Sequence, residues 1–308
     1  MLSVTFLGTS ASRPTVERNV PGLAVVREGE TFLVDCGEGT QRQMMRYGVS
    51  FALNEIFFTH FHADHFLGVI GLVRTFGLQG RTDPLHLYGP KGAKKILDQA
   101  LKLGIDHLPF PVEIHEVKPG DEIDRARSGE QYVLRAFATE HGAPSVGYAL
   151  AEHERRGRFD PDKARAAGIP EGPLWGKLTK GETITTDDGR RITPADFVGP
   201  NRPGRLLVVT GDTRPCAGVV DAAQGADLLI HEATFGEEEK ERAKDTNHST
   251  ALEAAQVALA ANVKRLVLVH LSARYSVAPE ELLTEAKTVF AETAVAKDGM
   301  TVEVPYSD

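Results

Sequence analysis

The sequence predicts an α/β protein built of layers, and three features carry that prediction. Short apolar runs recur along the chain, helical stretches lie between them, and the runs end in glycine-rich turns. The runs read SVTFLGT, GLAVVREGETFLVDCG, EIFFTH, LHLYGP, QYVLRAFAT, VGYALA, RLLVVTGD, LLIHEAT and RLVLVHLS. Several are almost continuously apolar, as strands covered on both faces must be. Helices are expected over Gln41–Tyr47, Lys91–Leu103, Thr250–Ala261 and Pro279–Glu292. The last begins with proline and acidic residues, which suit a first helical turn. One segment, Glu152–Thr183, fits no layer, and a structureless excursion of that length inside a compact domain marks a functional insertion or disorder.

The 308 residues are 41% hydrophobic and 25% charged, enough for a sizeable core. No apolar run approaches the ~20 residues of a membrane span, so no membrane role is expected. The opening MLSVTFLGTS lacks a basic stretch followed by a long apolar one, so no secretory signal is read there. Cys36 and Cys216 stand apart with no CxxC pattern, which suits a reducing cytoplasm and argues against a disulfide framework. The formal net charge of -8 excludes a chain that binds nucleic acid by bulk charge; any such contact needs a local basic surface.

FFTHFHADHFLG is the strongest chemical signal. His60, His62, Asp64 and His65 fall directly after the apolar run EIFF. A strand ending in such a loop aims several ligands at one point, and imidazole with carboxylate suits Zn²⁺ or a related ion. The spacing allows His60 and His62 to face one ion and Asp64 and His65 another. Further ligand types stand where other apolar runs stop: His141, Asp212 and His270. Strand ends are where active sites of α/β sheets gather.

HxHxDH followed by single His, Asp and His residues at strand ends resembles the metallo-β-lactamase superfamily. That resemblance implies a four-layer αββα sandwich with two zinc ions per subunit between its sheets. It assigns His60, His62 and His141 to one zinc, Asp64, His65 and His270 to the other, and Asp212 to both. It does not choose a substrate, because lactonases, glyoxalases, arylsulfatases and nucleases share the motif.

Four segments narrow the choice. HEATF (His231–Phe235) and NHSTA, which contains His248, supply an acid and an imidazole; Glu232 orienting His248 makes a proton-transfer couple. His248, Ser249 and Thr250 also read as helix-capping residues. SRPTVERNVPG presents Arg18 and Asn19 in a turn-rich loop. SARYS puts Arg274 close after His270, within reach of a phosphate. The fourth, GIPEGPLWGKL (Gly168–Leu178), holds the only tryptophan, and its prolines and glycines argue against a helix interior or a central strand. Around it Arg155, Arg156, Arg158, Lys163, Arg165, Lys177 and Lys180 face only Asp160, Asp162 and Glu171, a locally basic stretch.

Together these segments resemble the ribonuclease Z family, endonucleases that remove the 3′ trailer from precursor tRNA, in its short form. The likeness runs from FLGTSASRP to HLSARYS. It implies a single metallo-β-lactamase domain over residues 1–308 with an inserted, protruding tRNA-binding exosite arm at 152–183. Asp64 is then the proton acceptor, His248 with Glu232 acts on the leaving oxygen, and Arg18, Asn19, Arg274, Gly172, Pro173 and Lys177 contact tRNA. A homodimer is implied, one subunit's arm holding the tRNA that the other cuts. One departure stands out: the family's N-terminal loop reads Pro-x-Lys/Arg-x-Arg-Asn, and here Val16 replaces the basic residue beside Pro14, Arg18 and Asn19. The alternative on the same metals is a small-molecule phosphodiesterase or arylsulfatase-like hydrolase, which has no use for the arm.

Overall fold

Strands β1 (Leu2–Gly8), β2 (Gly22–Arg27) and β3 (Glu30–Cys36) open a computed structural model that describes residues 1–104, 107–124 and 132–306. They form an antiparallel meander in which Val25 lies opposite Val4 on one side and Phe32 on the other. Glu28 and Gly29 join β2 to β3 with φ of 48° and 89°, the paired left-handed residues of a tight hairpin turn. The chain then alternates: α1 (Thr40–Arg46), β4 (Glu55–Phe57), α2 (Ala63–Phe66), α3 (Gly68–Leu78), β5 (Leu85–Gly89), α4 (Ala93–Leu101) and β6 (Val112–Glu116). β3 to β6 run parallel, as helical crossovers require.

A second sheet follows. β7 (Glu122–Asp124), β8 (Tyr132–Ala138) and β9 (Val146–Glu152) precede the segment described below. Gln131, the first residue of the QYVLRAFAT run, lies outside the described residues. The excursion itself carries α5 (Pro161–Ala166), α6 (Pro173–Thr179), β10 (Ile184–Thr185) and β11 (Arg191–Ile192). The sheet resumes with β12 (Leu206–Val209), α7 (Ala217–Ala222), β13 (Leu228–Glu232), α8 (Lys240–Asp245), α9 (Ala251–Ala260), β14 (Leu266–Val269), α10 (Glu280–Lys287) and β15 (Thr293–Val295). Finally β16 (Thr301–Glu303) pairs back onto β1. The strand orders are β16-β1-β2-β3-β4-β5-β6 and β15-β14-β13-β12-β9-β8-β7.

Three apolar clusters define the layers of the larger unit, residues 1–151 and 206–305. Val4, Phe6, Phe32, Phe57, Tyr148, Leu207 and Ile230 lie between the two sheets. Leu33, Ile56, Leu72, Phe76 and Leu97 join the first sheet to α3 and α4, while Val208, Leu229, Ala254, Ala258 and Leu282 join the second to α9 and α10. That is the αββα order expected from sequence. Phe57 anchors the middle: fully buried, it sits edge-on to Phe32 and Tyr148 and stacks on Tyr88 at 4.7 Å. Removing such a ring costs about 3–5 kcal/mol.

Residues 152–205 form a second compact unit together with Tyr306. The outgoing and returning chains pair: Arg155 with Arg202 and Phe159 with Val198. At their base Arg205 and Glu152, both nearly inaccessible, form a two-pronged ion pair at 2.7–2.8 Å. The excursion therefore extends past Thr183 to Arg205, because the return strand is part of it. GIPEGPLWGKL also differs from expectation. Its Pro173 starts α6 at the one helical position where proline costs nothing, and Gly172 before it has φ of 131°. Trp175 is a core residue here: it packs on Phe159, donates from Nε1 to the Ile169 carbonyl at 3.1 Å, and joins Ala164, Leu178, Ile184 and Ile192.

The expected helices form with trimmed ends. Pro279–Glu292 shortens to α10 because the chain turns before β15. Thr250 and Glu253 make a reciprocal capping box on α9, so the capping reading of that segment holds for Thr250.

Candidate active site

Seven side chains from separate strand ends converge in the larger unit. β4 runs out at Phe57, and the following loop delivers His60 and His62 before α2 presents Asp64 and His65 in its only turns. His141 follows β8, Asp212 follows β12 and His270 follows β14. His60, His62, His141 and Asp212 form one group and Asp64, His65 and His270 another, each with its ligand atoms within 4.8 Å of one another. His62 Nδ1 lies 3.1 Å from His60 Nε2 and 3.2 Å from His141 Nε2. His65 Nε2 lies 3.3 Å from His270 Nε2, and Asp212 approaches His60, His65 and His270 at 3.3–3.5 Å.

Hydrogen bonds behind the rings fix which nitrogen faces inward. The Thr59 hydroxyl donates to Asp35, so it accepts from His60 Nδ1 at 3.1 Å. Likewise the Thr234 hydroxyl donates to Glu232 and accepts from His270 Nδ1 at 2.9 Å. His141 Nδ1 donates to the Asn247 carbonyl, and His65 Nδ1 donates to Asp35 at 2.8 Å. Four imidazoles thus turn Nε2 toward the centre, the arrangement by which outer partners orient metal-binding histidines.

The donor set fits divalent metal ions. Lone pairs and two carboxylates face one another in a buried spot, and Asp212 Oδ1 is buried without a hydrogen-bond partner. Divalent cations would satisfy that arrangement, and imidazole with carboxylate is the ligand class of zinc and its neighbours. Burial, with His65 close by, holds His60 well below its ordinary value and keeps it neutral. Burial also pushes His65 down, but Asp212 and Asp35 outweigh it and raise its pKa well above the usual imidazole range. Asp64, whose burial works the other way, is held low by a hydrogen bond with His270 and by the His65 and His270 charges. The Ser12 N–H donates to Asp64 at 2.8 Å and adds to that preference.

Beside this group stands the expected couple. His248 Nδ1 meets the fully buried Glu232 at 2.8 Å. Burial lowers the His248 pKa, but Glu232 and then Asp212 raise it to about 9. Its backbone is pinned by Arg214, which donates to the His248 carbonyl and pairs with Glu253 at 2.7 Å. The rings of His248 and His270 stack 5.3 Å apart.

Next to Thr234 a cleft of about 400 Å³ is lined by Ser12, Arg13, Phe235, Arg242, Ser272 and Arg274. Arg274 is half exposed and paired with Glu239. Arg13 and Arg242 bring cations that sequence reasoning did not single out. Arg18 lies elsewhere and corrects the expectation of a substrate contact: it is 5% exposed, and its guanidinium donates to Thr9, Ala296 and Ser276. Asn19 is half-buried and donates to the Glu38 carbonyl at 2.9 Å, while Val16 is 97% exposed. In the smaller unit Gly172, Pro173 and Lys177 are exposed along α6. His231, the first residue of HEATF, is buried and its Nε2 has no partner.

Two sheets enclosed by helices, with seven ligand-type side chains converging at their strand ends, define a metallo-β-lactamase-fold metal-binding protein. The solved structure of human tRNase Z, short form, superposes over 98% of this chain and 99% of its own, with a TM-score of 0.69 and 30% identity. The metallo-β-lactamase fold protein YhfI from Bacillus subtilis aligns over 98% of both chains with a TM-score of 0.69 at 20% identity, a likeness of fold. The family profile described as "Anti-Pycsar protein Apyc1" matches residues 2–156. Ribonuclease Z of Gemmatimonas aurantiaca is 57% identical over 308 residues, covering 100% of this chain and 97% of the relative. Ribonuclease Z of Myxococcus xanthus is 53% identical, covering 100% and 99%. The chain belongs to the ribonuclease Z family.

Proposed function

We propose that this protein is an endoribonuclease that hydrolyses one phosphodiester bond of precursor tRNA and releases the 3′ trailer. The tRNA keeps a 3′ hydroxyl and the trailer carries a 5′ phosphate. The observation that carries this reading is the His248–Glu232 couple set against the seven-ligand centre, in a chain belonging to the ribonuclease Z family.

His60, His62 and His141 would hold one Zn²⁺ and Asp64, His65 and His270 a second, with Asp212 between them. Bound zinc lowers the pKa of a water to about 7 and offsets phosphate charge. Asp64, ionised and anchored by the Ser12 N–H, takes the proton of the attacking water. His248 holds its proton at neutral pH against Glu232 and gives it to the leaving 3′ oxygen. Arg13, Arg242 and Arg274 line the cleft where the flanking backbone lies, and guanidinium groups suit phosphate.

The smaller unit serves as the tRNA grip. Its basic residues around α6, including exposed Lys177 and Lys180, attract phosphates without entering the chemistry. The working form is a cytoplasmic homodimer in which one subunit's grip serves its partner's centre. Val16 removes a cation from the N-terminal loop, so discrimination against CCA-ended precursors is weaker than in relatives that carry Lys or Arg there.

The test is cleavage of two labelled precursor tRNAs, with and without encoded CCA, mapped to the nucleotide. One chelator-sensitive cut at the 3′ side of the acceptor stem is expected. No cut in either precursor, with a small diester still hydrolysed, moves the assignment to a small-molecule phosphodiesterase.

A further inference from the structure

A second convergence of metal-ligating side chains lies in the larger unit, on strands that contribute nothing to the centre above. β6 is the edge strand of the first sheet and runs parallel to β5. His86 on β5 is in register with Glu113 on β6, and Tyr88 with His115. Alternation puts these four on one face, because Leu85, Leu87, Val112 and Ile114 face the helices on the other. His86 Nδ1 lies 3.3 Å from His115 Nε2 and 3.4 Å from Glu113 Oε2. The remaining separation, His115 Nε2 to Glu113 Oε2, is 3.9 Å.

Two of those distances are the ones a small cation needs. With ligand bonds of about 2.0–2.1 Å, neighbouring ligands of a tetrahedral ion stand about 3.3–3.4 Å apart. Two separations meet that value; the third, at 3.9 Å, corresponds to an angle of about 140° at such bonds, so the exposed Glu113 carboxylate must swing inward by about 0.5 Å to complete a tetrahedral set. The rings are also held in place before any ion arrives. His115 stacks on Tyr88 at 4.7 Å and 19°, and Tyr88 stacks on the buried Phe57 at 4.7 Å and 9°. His86 lies 29° from the His115 plane. Burial, then His86, then Lys94 hold His115 below its ordinary pKa against the pull of Glu113.

We propose that His86, Glu113 and His115 form a binding site, separate from the catalytic centre, for one divalent transition metal ion of the zinc type. Water completes its coordination, and the ion ties the edge strand β6 to β5. Two imidazoles and one carboxylate are the ligand class that selects zinc, copper or nickel over magnesium or calcium. The competing account is a trio that shares a proton and binds no metal.

The two accounts separate in a metal count. Full-length protein with its centre loaded is dialysed at pH 7.5 against micromolar zinc, and zinc per chain is measured by plasma mass spectrometry. Wild type is expected to hold one more ion per chain than His86→Ala or His115→Ala. Glu113→Gln, an exposed change that leaves both rings in place, is expected to weaken zinc binding about tenfold. Zinc should raise the melting temperature of wild type relative to chelator-washed, centre-loaded protein, and not that of His115→Ala. Equal zinc counts in wild type and all three variants, each melting cooperatively, would overturn the proposal in favour of the shared proton.

Discussion

The larger unit and the segment 152–205 are assembled on opposite plans. The larger unit gathers its ligand-type residues from strand ends far apart in the chain and buries four of the seven: His65 and His270 are 205 residues apart yet their Nε2 atoms are 3.3 Å from each other. The smaller unit is local. Its core of Ala164, Ile169, Leu178, Ile184 and Ile192 comes from one short stretch, and its charged residues are exposed or partly exposed apart from the Arg205–Glu152 pair at its base. Under the proposed function the contrast is a division of labour: precision requires fixed, buried partners, whereas attraction to a polyanion requires only an exposed basic surface on a small stable base.

The largest effect should come from the buried side of that comparison. Asp64→Ala is expected to lower turnover of both precursor tRNA and a small diester by about a thousandfold or more, read in single-turnover assays. His248→Ala should cost about 10²–10⁴ on RNA, the usual range for a positioned proton donor. Its pH dependence sharpens the point. With the imidazole raised to about 9, the proton is present below that value and lost above it, so the rate falls on the alkaline side near pH 9. Glu232→Gln removes the main raising charge, and the alkaline fall should move toward neutral pH.

Deletion tests the other side. Ala151 on β9 and Leu206 on β12 are paired antiparallel neighbours, so a two-residue Asn-Gly turn can replace 152–205 without disturbing the sheet. Cleavage of precursor tRNA is expected to fall about a hundredfold or more, while small-diester turnover stays within about threefold. Equal losses on both substrates would break the division of labour. Trp175→Ala is milder: removing a half-buried ring should cost about 2 kcal/mol, seen as earlier proteolysis within 152–205 with diester turnover unchanged. The smallest test concerns packing alone. Burial pushes the Cys36 thiol up to about 12, so iodoacetamide at pH 8 should label Cys216 and leave Cys36 intact in native protein.

Much of the centre was legible in the sequence because ligands are chemically distinctive and strand ends are readable from where apolar runs stop. HxHxDH stands out by those two facts, whereas His141, Asp212 and His270 become candidates only jointly and through the resemblance, and the structure brings all seven together. The residues that orient them were not legible. Asp35 and Thr59 look like an ordinary strand end and loop, and their roles depend on partners brought by folding. The Asn247 carbonyl is a backbone group that no side-chain pattern announces. Arg18 was misread for a related reason: a guanidinium in a polar loop looks solvated until Thr9, Ser276 and Ala296 close around it. The prolines and glycines of GIPEGPLWGKL hid α6, since a helix of one or two turns tolerates proline at its start and leaves no periodicity to read.

The pairing of β16 with β1 has a consequence for how the protein is made. Thr5 and Thr301, 296 positions apart, share a hydrogen bond, so β1 waits for β16. At about 5–20 residues per second, the 205 residues from His65 to His270 take roughly 10–40 s to synthesise. Throughout that interval the nascent chain carries His60, His62, Asp64 and His65 without the ligand that completes the second group. On the proposed ligand assignment, a nascent chain surrounded by RNA therefore has no finished centre before His270 is made.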